Sequence, residues 1–205
     1  MVLLLLWLLS YPLTRGLLQH GVSGCLFLFL AIVHHTLNLD WYRALGRGRW
    51  PFRRWLSTST VCLLLLCTLA LLISSLAMAG EVFAFVPYPM PRWGRDWHTA
   101  ATAWTFVLTA FHLGLHGQGF WNWLRRTPVP VLVRVFCALL FLGFSAWNFR
   151  QSGLWSDMLL YGEMKLLPES ETAFWVQYVS IGMGFCLLGR LTLQGANRLQ
   201  RLLDR

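Results

Sequence analysis

Five blocks of apolar residues, at roughly 18–38, 56–79, 97–117, 131–150 and 172–193, divide this chain. Each has about the ~20 residues that a helix needs to cross a hydrocarbon core of about 30 Å. In lipid every backbone amide and carbonyl must find its partner within the protein, which restricts a spanning segment to a helix or a strand of a closed barrel. These runs are continuous rather than alternating, which excludes barrel strands. The blocks therefore predict an all-α, polytopic transmembrane helical bundle with five spans, the whole chain 1–205 forming a single domain. A sixth run, Met1 to Leu13, is short for a span and lacks the basic start of a signal peptide. It is expected to be a short or tilted first helix over 1–14, or the end of one that begins upstream. Tyr11-Pro12-Leu13-Thr14-Arg15-Gly16 then breaks it.

Charge is scarce and sorted. Hydrophobic residues make up 57% of the chain and charged ones 12%, too few to cover a soluble domain of this size. The net charge of +9 is nearly all arginine and sits between the apolar blocks, so it reads as loop charge rather than a nucleic-acid surface. Residues 39–55 carry Arg43, Arg47, Arg49, Arg53 and Arg54 against Asp40. Residues 118–130 carry Arg125 and Arg126 without an acid, and the tail carries Arg190, Arg198, Arg201 and Arg205 against Asp204. By contrast, residues 80–96 balance Glu81 and Asp96 with Arg92 and Arg95, and residues 151–171 set Asp157, Glu163, Glu169 and Glu171 against Lys165. This alternation predicts that loops 39–55 and 118–130 and the C-terminus are cytoplasmic. Tryptophans 41, 50, 55, 93, 97, 121, 123 and 155 fall near the block ends, where an interfacial belt belongs. Cys25, Cys62, Cys67, Cys137 and Cys186 all lie inside apolar blocks without a CxxC pair, and read as free, buried thiols.

Ligating side chains inside a span are expensive and mark function. All six histidines fall in two blocks, 18–38 and 97–117. His20 is followed fourteen residues later by His34, with His35 adjacent, and His98 is followed fourteen residues later by His112, with His116 one turn beyond. Fourteen helical residues rise about 21 Å and return to within about 40° of the same direction. Each helix therefore carries one histidine near each membrane surface on a shared face. One block intervenes, so the two helices run parallel and bring His20 level with His98 and His34 level with His112. Each level suits one haem between two imidazoles. His35 and His116 are alternates at the second level, or groups that support it. Gly24, Ala100, Ala101, Ala103 and Gly114 are small enough to leave room for a porphyrin face, and Arg15, Arg92, Arg95 and the inner arginines are candidate partners for propionates.

The stretch Leu17-Leu18-Gln19-His20-Gly21-Val22-Ser23-Gly24, continuing to His34-His35-Thr36-Leu37-Asn38-Leu39-Asp40-Trp41-Tyr42, resembles the flavinylation-associated cytochromes, a bacterial membrane family similar to di-haem cytochrome b. In that family a helix opens on His-Glu-x-x-Gly and ends on His-His-x-x-Asn, followed by Trp and an aromatic. The basic loop Gly46-Arg47-Gly48-Arg49-Trp50-Pro51, the helix end Phe111-His112-Leu113-Gly114-Leu115-His116 and the segment from Trp147-Asn148-Phe149-Arg150 through Tyr161 extend the likeness over most of the chain. Gln19 replaces the family's acidic neighbour of the first histidine, and the first helix is short. The resemblance implies two b-type haems and electron transfer across the bacterial cytoplasmic membrane toward an extracytoplasmic FMN-bearing partner.

No phosphate loop, HExxH or serine-triad motif is present. Ser57, Thr58, Ser59, Thr60, Ser74 and Ser75 are expected to cap helices or bond between them rather than form a site. Glu81 and Asp96 flank the outer histidines and could serve a quinol. Competing expectations are a histidine-based divalent-metal or proton transporter, disfavoured by the lack of intramembrane carboxylates, and a non-catalytic anchor subunit.

Overall fold

The structure, a computed structural model, describes residues 1–14, 16–78, 92–161 and 170–203. The described residues form helices and connections without a strand. Arg15, Glu81, Glu163, Lys165, Glu169, Asp204 and Arg205 lie outside them, as does the side chain of Arg92. The elements are α1 (Val2–Leu9), α2 (Tyr11–Thr14), α3 (Leu17–Thr36), α4 (Leu39–Ala44), α5 (Phe52–Ala77), α6 (Arg92–His116), α7 (Gln118–Arg125), α8 (Val131–Gln151), α9 (Leu154–Met158) and α10 (Glu171–Leu203).

Four of these, α3, α5, α8 and the apolar part of α10, are long and apolar enough to cross a membrane. The chain is a multi-pass membrane protein, with four such helices rather than the five expected. The exception is α6, which occupies the block expected at 97–117 and is helical for 25 residues but is less apolar. Its position explains this. α6 is the central helix, packed against α5, α10, α9 and α1. Ala100, Ala101, Ala103, Thr105, Phe106, Val107, Ala110 and Leu115 along it are buried. A helix surrounded by other helices meets little lipid and need not be apolar all round. The Met1–Leu13 run splits into α1, whose 8 residues rise only about 12 Å, and the single turn α2. α1 docks at the His20 end of the bundle, where Leu5 and Leu6 enter the core with Phe27, Ala103, Phe106, Phe174, Tyr178 and Ile181.

Lipid is as apolar as leucine, so helix association in a membrane depends on close packing and interhelical hydrogen bonds. α6 and α10 run parallel and meet through glycines from both sides. A Cβ on Gly114 would collide with the carbonyl oxygen of Cys186, and one on Gly189 with the carbonyl oxygen of Phe111. α8 runs antiparallel to α10 and is joined to it where Asn148 Nδ2 donates to Ser180 Oγ at 3.0 Å. Gly184 leaves space there for Ser145. The indole of Trp104 donates to the carbonyl of Met158 at 3.1 Å, which fastens α9 over α6. α3 is different: its backbone packs closely only against α1.

The cysteines are free, as expected, but not all are enclosed. Cys25, Cys62 and Cys137 are exposed on the outer faces of α3, α5 and α8. In a bundle this thin an apolar position points to lipid as readily as to protein, and a thiol behaves as a small hydrophobe in either place.

Replacing Gly114 or Gly189 with alanine should destabilise the bundle by about 1–3 kcal/mol through backbone overlap. Gly143→Ala, where an added Cβ meets nothing within 4 Å, should be neutral or stabilising by up to about 1 kcal/mol of helix propensity. Thermal unfolding in detergent reads both, and a Gly114→Ala protein as stable as its parent would contradict the α6–α10 packing.

Candidate functional site

Parallel α3 and α6 place their histidines in two groups. At one end His20 of α3 and His98 of α6 face each other with ring centroids 6.0 Å apart and planes inclined at 65°. Each ring also has neighbours besides the other histidine. The Leu8 backbone of α1 lies beside the His20 ring, and the Tyr11 ring lies 4.9 Å from it. For His98, the Nδ1 atom has Ser74 Oγ and Ser75 Oγ each at 3.4 Å, at the last turn of antiparallel α5. Ser74 is buried and anchors its own hydroxyl on the Ala70 carbonyl at 2.7 Å. Of the hydroxyls expected to bond between helices, Ser74 and Ser75 do so, and their partner is a candidate site residue.

At the other end His34, His35, His112 and His116 gather more loosely. The His112 and His116 rings, one turn apart, lie 4.5 Å between centroids with planes tilted by 40°, and His34 and His35 sit at 5.6 Å. His34 and His35 lie within electrostatic range of His112, and Arg53 within range of His116. His112 Nδ1 is buried with no hydrogen-bond partner among the described residues. His35 Nδ1 shares a 2.5 Å hydrogen bond with the hydroxyl of Tyr42 in α4. Burial pushes the Tyr42 phenol above its usual range, so the group is neutral at physiological pH. Asn38 Nδ2 donates to the His34 carbonyl at 2.7 Å and closes the end of α3. These bonds give the run His34-His35-x-x-Asn38 with Tyr42 a local cause: the asparagine ends the helix and the tyrosine, on the short helix beyond, holds a histidine.

The basic loop that follows is organised by Arg54. Its guanidinium donates to the carbonyls of Arg47 (2.6 Å), Arg49 (3.1 Å), Leu45 (3.2 Å) and Ala44, and lies 4.5 Å from the centre of the Trp50 ring. Arg54 is therefore a loop-builder, and Arg53 is the neighbouring arginine within electrostatic range of His116.

Two of the small residues behave differently from one another. Gly24, one turn beyond His20, has open space where a Cβ would be. Gly114 packs against α10 instead of leaving room beside the histidines. It lies two positions after His112 and so points to the opposite side of α6. Among the described residues no group of three or more His, Cys, Asp and Glu side chains is placed to hold a metal ion. No family model, curated protein or solved structure matches this chain.

Sequence reasoning passed over Leu8, Tyr11 and Tyr42 as site residues. The signals for Tyr42 were its place in the His-His-x-x-Asn…Trp-aromatic run and its seven-residue spacing from His35, and for Leu8 and Tyr11 there was none. Tyr42→Phe should cost about 1 kcal/mol. A thermal double-mutant cycle with His35→Ala should show coupling of at least about 0.5 kcal/mol, and additive effects would remove the Tyr42–His35 bond from the site.

Proposed function

We propose that this protein is a transmembrane electron carrier holding two b-type haems, each between two imidazoles. His20 and His98 hold one. His112 with His34 holds the other, with His35 and His116 as alternates. The observation that carries this reading is the His20–His98 pair. A metal–imidazole bond is about 2 Å long, so two rings sharing one metal ion have centres roughly 6 Å apart, and these stand at 6.0 Å. Nδ1 of His98 meets Ser74 and Ser75, the kind of outer support that fixes a ligating ring, and the Leu8 backbone and the Tyr11 ring lie beside His20. α3, which carries His20, stands off from α5 and α6, and Gly24 faces open space.

Pairs of histidines rather than cages of three or four favour a group that brings its own in-plane nitrogens and needs only axial ligands. This favours haem over a bare divalent ion. The second end fits the same group through the buried, unpartnered Nδ1 of His112. Bound haem supplies one-electron redox chemistry. The chain's own residues orient the imidazoles, set which nitrogen carries the proton and, through the apolar faces of α3 and α6, keep water away.

The likeness of the histidine motifs to the flavinylation-associated cytochromes supports placing the protein in a bacterial cytoplasmic membrane. By the positive-inside rule the arginine-rich loops 39–55 and 118–130 and the C-terminus face the cytoplasm. That leaves His20 and His98 on the outer side, where an FMN-bearing partner would dock, with a quinone as the other candidate partner.

The purified protein should give a reduced-minus-oxidised b-type spectrum with two haems per chain. His20→Ala and His98→Ala should each lose about half of the haem, and His34→Ala and His112→Ala the other half. Full haem in the last two variants would transfer ligation to His35 and His116. A colourless preparation from haem-replete cells would overturn the proposal.

A further inference from the structure

On the side of α6 away from the histidines, α7 and α10 enclose a cavity of about 410 Å³ lined by four arginines and three carboxamides. The arginines are Arg125 of α7 and Arg190, Arg198 and Arg201 of α10. The α10 residues 190, 194, 197 and 201 recur at helical spacing, so they form one polar stripe facing α7.

Arg190 is the anchor. It is 5% exposed, on the helix turn that packs against Gly114. With the Gln194 carboxamide turned oxygen-first, that oxygen accepts from Arg190 Nε at 3.2 Å and from an Arg125 Nη at 3.0 Å. Two cations thus share one neutral acceptor. Among the described residues no carboxylate lines the cavity, and the Arg43–Asp40 ion pair lies elsewhere, on α4. Guanidinium groups gathered without a counter-charge among the described residues, one of them buried, form a site for an anion, and their planar forks suit phosphate oxygens.

A second cavity of about 250 Å³ adjoins it and shares Arg125 and Gln194. Its other walls are Trp121 and Leu124 of α7 and Arg134, Val135 and Ala138 of α8. α7 is an amphipathic helix with Phe120 and Trp123 exposed on its other face, as in a helix lying in the membrane interface.

We propose that these joined cavities bind an anionic phospholipid. Its phosphate sits among Arg125, Arg190, Arg198 and Arg201, and an acyl chain runs along Leu124, Val135 and Ala138. The shared chemistry is a phosphate anion, and the apolar extension favours a lipid over a free ion. A zwitterionic lipid would bring a cationic headgroup among four arginines.

The test uses the full chain in neutral detergent, with thermal stability followed against added dioleoyl-phosphatidylglycerol, dioleoyl-phosphatidylcholine or inorganic phosphate. Phosphatidylglycerol should raise Tm at a concentration at least tenfold below that needed for phosphatidylcholine. Inorganic phosphate should do nothing at low millimolar levels; if it reproduces the whole shift, the site stands and its ligand is free phosphate. The exposed triple variant Arg125→Gln, Arg198→Gln, Arg201→Gln leaves Arg190 in place and should lose the preference for phosphatidylglycerol. Arg126→Gln, outside the cavity, should keep it, and lipid-free Tm reports whether each variant folds. Equal shifts with the two lipids, or full preference retained by the triple variant, would overturn the proposal.

Discussion

Backbone lies directly on backbone where α6 crosses α10, with Gly114 against the Cys186 carbonyl and Gly189 against that of Phe111. In water such a contact would add to a hydrophobic core already formed. In lipid, where burying leucine against leucine gains little, close approach is itself the main attraction. Fixing α6 this way has consequences on both of its sides. One side presents His98, His112 and His116 toward α3 and α5. On the other, α10 carries Arg190 to the same level as Gly114, and α7 follows within reach. The histidine column and the arginine-lined cavity are thus two faces of one helix whose position two glycines determine.

Around this frame, the polar groups near the histidines fix side chains. Ser74 and Ser75 flank His98, and Tyr42 holds His35. Each bond is modest, about 0.5–1.5 kcal/mol net. Together they limit which way each imidazole turns and which of its nitrogens is free. An axial ligand needs that kind of preorganisation more than it needs stability.

The helical class and the approximate bounds of the long helices were legible because a membrane admits few alternatives. The 14-residue histidine spacing was legible because it is a property of one helix at a time, and it brought His20 to His98 across the bundle. What escaped were properties of pairs. α6 failed the test of apolarity because its neighbours shield it, which no residue of α6 records. Gly114 was assigned to the histidine side because its small size was visible but its direction relative to His112 was not weighed. Arg54 was read as loop charge, whereas its donors hold the loop together from the start of the next helix. The exposed thiols were expected to be buried because apolarity alone does not say whether a residue faces protein or lipid.

The two ends of the histidine column are not equally covered. His20 lies beneath α1 with the Tyr11 ring against it, whereas His34 and His116 are exposed. α1 is too short to shield both ends. The two ends of the histidine column therefore differ in what they present, a short helix and an aromatic ring at one and open imidazoles at the other.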